Sequence, residues 1–203
     1  MTDKTYCYPP DYTVLKNKAG FRDPEKLEQF ERLYTQSRMM DCPLDLPITY
    51  VGYQAIHRHV FQDVYEWAGQ SRTVTIHKGD AFANWMYVDQ EMEKRFELIR
   101  QDQNLQSSSA VEFAEKAAEH LSEINAIHPF REGNGRTQRL FLRNLAHQAG
   151  HESHIARIDK DRWMDASIEG FREQNYEPMA KLIYSCMEDR PRSRDRHRDD
   201  HGR

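Results

Sequence analysis

Within twelve residues, HPFREGNGRTQR from His128 to Arg139, the chain gathers a histidine, an acid, two glycines around an asparagine, and two arginines three positions apart. Each residue type suits one task. His128, with an intrinsic pKa near neutrality, can take a proton from a hydroxyl group. Gly133 and Gly135 bare the backbone where a helix begins, and amides at a helix N-terminus form a concavity for phosphate oxygens. Asn134 can add its side-chain amide to the same anion. Arg136 and Arg139 occupy adjacent positions on the first turns of that helix and reach further phosphates. Glu132 alone is too little for a protein-caged metal, but one carboxylate is what Mg²⁺ uses when phosphates and water supply its other ligands. Together these residues describe attack of a hydroxyl group on a bound nucleotide. The stretch is no P-loop, because it lacks G-x-x-x-x-G-K-[ST] and follows no buried strand.

Such residues act only if helices hold them, and the flanking pattern is helical. Asp23-Pro24 is a cap and first-turn signal, and Leu27, Phe30 and Tyr34 follow at helical spacing to about Met39. Ile56, Val60, Phe61, Val64 and Trp67 share a face of a second helix that Gly69 is placed to end. The period then changes. Thr73–Ile76 alternates β-branched residues ahead of a Lys78-Gly79-Asp80 turn, which predicts a short hairpin. A third helix starts near Asp89 with Met92, Phe96 and Ile99 on one face. Ser109 and Glu112 make a capping box for a fourth, which runs through Leu121 and Ile124 into the motif. Leu140, Phe141 and Leu145 face inward from a fifth helix that Gly150 stops, and two more are expected near 161–171 and 176–187. The expectation is an all-α bundle with one exposed hairpin, the motif being the loop between two core helices.

A chain of 203 residues, 38% of them hydrophobic, can bury one sizeable core. Its net charge of -4 argues against a general nucleic-acid or membrane binder. The tail RPRSRDRHRDDHGR, residues 190–203, has no apolar anchor and is expected to be disordered. Its six arginines are diluted by three aspartates without interleaved aromatics, so a nucleic-acid partner is disfavoured. No apolar run reaches the length of a membrane span and the N-terminus lacks a secretory pattern, so a cytoplasmic location is expected. Cys7, Cys42 and Cys186 show no paired spacing and read as reduced thiols.

The motif resembles the signature of the Fic proteins, H-P-F-x-[DE]-G-N-G-R-x-x-R, and matches it at every defined position. The segments YPPDYTVLKNKAGFRDPEKLEQFE, IHRHVFQDVYEWAGQSRTV and HKGDAF are similar to corresponding parts of bacterial Fic domains, in the same order. The resemblance implies a Fic domain over residues 1–189, with the motif loop at 128–139 and a hairpin flap at about 72–86 beside the active site. It implies His128 as general base toward a target hydroxyl, Glu132 as the Mg²⁺ ligand, and Gly133, Asn134 and Gly135 as the anion hole. Arg136 and Arg139 would hold the β- and γ-phosphates of ATP, and Lys78 and Gly79 at the flap tip would touch nucleotide or target. The implied reaction is transfer of AMP from ATP to a hydroxyl side chain of a protein docked on the flap. Runner-up readings are a Fic-type transferase with another donor, such as phosphate, an exported effector, or an idle domain used for binding.

Many Fic proteins carry an inhibitory helix with [ST]-x-x-x-E-[GN]. Here the Glu-Gly pairs are Glu132-Gly133, inside the motif, and Glu169-Gly170, with Asp165 where Ser or Thr should stand. The resemblance therefore implies the toxin of a toxin–antitoxin pair, with a small antitoxin supplying the helix in trans, and type II topoisomerase subunits as a first guess for the target.

Overall fold

The computed structural model describes residues 3–78, 80–155 and 158–187. Seven α-helices occur among them: α1 (Pro24–Met40), α2 (Tyr50–Phe61), α3 (Val88–Gln101), α4 (Ala110–Ile127), α5 (Asn134–Gln148), α6 (Lys160–Glu173) and α7 (Glu177–Ser185). Their starts are written locally. The Asp23 carboxylate accepts from the Lys26 amide ahead of Pro24, and Ser109 and Glu112 form a reciprocal capping box on α4. On α6 one Asp159 oxygen accepts from both the Asp161 and Arg162 amides.

Helix α4 is the axis of the bundle. Phe113, Ala114, Ala117, Ala118, Leu121 and Ile124 are all buried, and α3, α5, α6 and α7 pack around it, while α2 packs on α1 and α5. The alanines let neighbouring helices approach closely, and larger rings fill the gaps between them. Tyr53 of α2 lies against Phe130 at 5.6 Å and edge-on to Phe141 of α5 at 5.3 Å. Phe130 has no exposed surface, so the motif loop is anchored in the core by its own phenylalanine. The three cysteines are buried. Among the described residues no helix is long and apolar enough to cross a membrane.

Three expectations are corrected. Helix α2 stops at Phe61, not near Gly69. Val64 and Tyr65 both donate their amides to the Phe61 carbonyl, and the chain continues in tight turns whose apolar residues are still buried. Residues Thr73–Ile76 are not strand; antiparallel pairing is confined to His77–Lys78 (β1) and Asp80–Ala81 (β2), with His77 opposite Ala81. On α1, Leu27 is buried but Tyr34 is 42% exposed, so the inward face is narrower than the spacing implies. The tail at 190–203 and Gly79 lie outside the described residues, as does the side chain of Lys78.

Candidate active site

The motif loop joins α4 to α5. His128 caps α4 in a left-handed conformation (φ 53°), a strained choice for a residue other than glycine, and Pro129 prevents the helix from continuing. At the other end Gly133 caps α5 with φ 84°. A Cβ there would lie 2.2 Å from the Phe61 ring, so conformation and packing both require glycine. Gly135 differs: a Cβ built on it meets nothing within 4 Å. No side chain caps the first turn of α5, which leaves its amides directed outward.

The loop is held from behind through its own backbone. Asn134, 3% exposed, donates Nδ2 to the Phe130 carbonyl at 2.7 Å and accepts the Phe130 amide on Oδ1 at 2.9 Å. Its side chain therefore ties the loop together, and the expectation that this amide faces an anion is corrected. His57 of α2 does comparable work. Its Nδ1 accepts the Gly69 amide at 2.8 Å, so Nε2 carries the hydrogen and donates to the Glu132 carbonyl at 3.0 Å. Burial, with the Arg136 charge adding to it, pushes the His57 pKa down to about 3 against the contrary pull of the Glu132 carbonyl. The ring is thus a fixed neutral tautomer, stacked on Phe130 at 3.8 Å.

Arg72 is the third anchor. Only 1% exposed, it donates to the carbonyls of His128 (2.8 Å), Val74 (2.7 Å), Ala83 (2.5 Å) and Ile127 (3.1 Å). Desolvation lowers its pKa from the usual arginine value.

His128 is only 7% exposed and its imidazole lies flat against the Phe82 ring. Glu132 accepts the Gly133 amide on Oε1 at 2.9 Å and lies 3.6 Å from Arg136. Its second oxygen has no hydrogen-bond donor among the described residues, so the site offers one free carboxylate oxygen beside uncapped helix amides. That donor set fits a magnesium ion shared with phosphates. Among the described residues no cluster of three metal-ligating side chains occurs.

The two arginines part company. Arg136 reaches across to α1, where Nη2 donates to Glu31 at 2.6 Å and Nη1 to Thr35 at 3.3 Å, with the Phe61 ring 4.6 Å below. Glu31 also accepts the Tyr65 hydroxyl in a short hydrogen bond. Arg139 has no carboxylate partner among the described residues. Desolvation and then the neighbouring Arg136 charge lower its pKa, so it is a half-buried cation that an incoming anion would relieve.

The sequence reading did not single out Glu31, His57, Arg72 or Phe82. His57 left a signal, since it sits four residues before Phe61 on the apolar stripe of α2, where a polar side chain must find partners. The others are joined to the motif only by the fold.

Residues 47–146 match the sequence model of the Fic/DOC family. A probable protein adenylyltransferase of Sinorhizobium fredii is 43% identical over 170 residues, spanning 81% of this chain and 86% of that protein. Among solved structures, the BepC effector of Bartonella tribocorum with bound AMPPNP superposes with a TM-score of 0.82 at 29% identity, covering 91% of this chain and 97% of that one. The N-terminal Fic domain of a Bartonella quintana effector with bound ADP gives a TM-score of 0.84 at 31% identity, covering 92% and 95%.

Proposed function

The chain belongs to the Fic/DOC family, and from that premise we propose that it is a protein adenylyltransferase, moving AMP from ATP to a hydroxyl side chain of a target protein. The observation that carries this reading is the pairing of a buried histidine at the end of α4 with the uncapped amides that open α5, one short loop apart. The adenylyltransferase and nucleotide-bound relatives support it.

ATP lies with its phosphates over the first turn of α5, where the helix N-terminus and Arg139 supply positive potential. The target oxygen attacks the α-phosphorus and the bond to the bridging oxygen breaks. AMP remains on the target and pyrophosphate leaves. His128 accepts the hydroxyl proton. Glu132 is the residue that would hold Mg²⁺, which when bound neutralises charge developing on the phosphates. Arg139 clamps the terminal phosphate, and Arg136 works from a position set by Glu31 and Phe61. The segment about 72–86 serves as the flap along which an extended stretch of target lies, with Lys78 and Gly79 at its tip.

Arg139, without a carboxylate partner among the described residues, supports a further part of the reading: an antitoxin places a glutamate against it in trans and denies the γ-phosphate its place. The chain then acts as the toxin of a pair in the ATP-rich cytoplasm. Type II topoisomerase subunits are the first targets to try.

The test is mass spectrometry of protein incubated with ATP and Mg²⁺, alone and with candidate targets. An AMP adduct on Tyr, Thr or Ser, absent with His128→Ala although that variant still binds ATP, is the expected result. A phosphate adduct, or labelling by His128→Ala at the wild-type rate, overturns it.

A further inference from the structure

Phe82 follows β2 directly, and its ring stacks on the His128 imidazole with centroids 3.9 Å apart and planes 16° from parallel. On α6, Phe171 packs against Phe82 at 5.7 Å. Both phenylalanines are only partly buried, so the stack lies at the rim of the site and not in the core. The backbone beneath is tied to the same place. Arg72 donates to Val74 and Ala83 on the two sides of the hairpin and to His128 itself, while the Ala83 amide donates to the Ala126 carbonyl at 3.3 Å. One guanidinium thus holds the base of the hairpin and the backbone of His128 in a single frame, and the Phe82 ring lies flat against the imidazole.

We propose that Phe82 is a positioning residue for His128: it fixes the plane of the imidazole by face-to-face contact, and so links the pose of the hairpin to that of the base. The proposal rests on the reading of His128 as general base. The imidazole torsion is broad and roughly two-fold, so a flat contact against one face of the ring narrows the planes it can adopt. A stacked ring supplies that contact without obstructing chemistry, because proton transfer uses the in-plane lone pair at the ring edge and stacking covers only the face. Phe82 touches no reacting atom. Its effect is on the fraction of time the base is aligned, and misplacement of about 1 Å can cost roughly 100-fold in rate. A target segment bound along the hairpin would act on the same contact.

The experiment compares Phe82→Leu, which keeps apolar bulk but loses the flat face, with Phe82→Tyr, which keeps the ring. AMP transfer by Phe82→Leu should fall about 10- to 100-fold in kcat, with the KM for ATP within about twofold of wild type because the phosphate cradle is untouched. Phe82→Tyr should restore most of the rate. Independently of activity, the His128 ring protons, assigned by NMR against His128→Ala, should show a ring-current upfield shift in wild type and Phe82→Tyr that is lost in Phe82→Leu. Wild-type kcat in Phe82→Leu, an equal fall in both variants, or unchanged His128 shifts in Phe82→Leu would overturn the proposal. If the wild-type chain transfers no AMP, the adenylyltransferase reading fails by itself, and the NMR comparison alone decides whether Phe82 sets the ring.

Discussion

The motif glycines Gly133 and Gly135 sit two residues apart and should respond to alanine with opposite signs. At Gly133 the new methyl meets two penalties. Its φ of 84° costs a non-glycine residue about 1–2 kcal/mol. The Cβ would also lie 2.2 and 2.3 Å from two Phe61 ring atoms, an overpacking worth about 1–3 kcal/mol. The sum, about 2–5 kcal/mol, is a large share of a typical domain's stability and corresponds to a fall of roughly 4–20 °C in Tm for a chain of this size. Gly135 has neither penalty, and alanine is the better helix former by up to about 1 kcal/mol. Gly135→Ala should therefore melt at or slightly above the wild-type temperature yet lose at least about tenfold in AMP transfer, since its methyl projects into the open space where phosphate oxygens would approach. Thermal denaturation and single-turnover labelling read the two effects. A double-mutant cycle with Phe61→Leu separates the penalties at Gly133, because relief of the ring contact should recover the packing part and leave the φ part. A Gly133→Ala protein as stable as wild type, or a Gly135→Ala protein as active, would refute the division into a glycine for the fold and a glycine for the ligand.

Other substitutions probe the supports of the loop and its charges. With its pKa near 3, His57 stays neutral in the fold while the unfolded chain's histidine protonates near 6.5, so stability is full above about pH 6.5 and falls as pH drops toward 3. His57→Gln, which keeps a donor and an acceptor, should flatten the pH dependence of denaturant unfolding in that window by about 1.4 kcal/mol per pH unit; an unchanged slope would count against the neutral tautomer. Glu31→Ala strips the partner from a mostly buried Arg136 and should cost about 1–3 kcal/mol in denaturant melts, and no loss would mean the pair is ornamental. Glu132→Gln should lower labelling in a way that excess Mg²⁺ partly restores, which a merely steric defect would not allow. Arg139→Ala should impair labelling and also abolish the difference between an intact antitoxin and one lacking its glutamate; independent effects would sink inhibition in trans.

What could be read from the sequence was what is contiguous along the chain. The Asp23-Pro24 start and the Ser109–Glu112 capping box use hydrogen bonds spanning three residues, so pattern and structure coincide. The motif was legible for the same reason. Helix α2 was extended too far because periodicity reports burial, and Val64 and Tyr65 are buried in turns as fully as they would be in a helix. The run Thr73–Ile76 has strand-like composition, but beyond the short β1–β2 ladder only the Ile76 carbonyl, which accepts the Phe82 amide at 3.4 Å, is paired across the hairpin among the described residues. The anchors of the site were invisible because their partners are remote: Arg72 lies 56 residues from His128, and Glu31 lies 105 from Arg136. No local pattern encodes such a pair.

The remote anchors also account for why the motif has the spacing it has. Arg72 takes the carbonyl of His128, Asn134 that of Phe130, and His57 that of Glu132. Three carbonyls of the loop are thus claimed by buried side chains, two from distant parts of the chain and one from Asn134 of the motif itself, while the Pro129 carbonyl accepts the Arg72 amide. A stretch held through so many of its carbonyls has a fixed backbone. The support of the loop then does not depend on its functional side chains, which suits Glu132, since a metal ligand must keep lone pairs available. One residue inserted between His128 and Glu132 would put the three anchors out of step, leaving at least one buried donor unsatisfied at a cost of about 1–3 kcal/mol. The length of the loop is therefore a demand of its supports as much as of the chemistry in front of it.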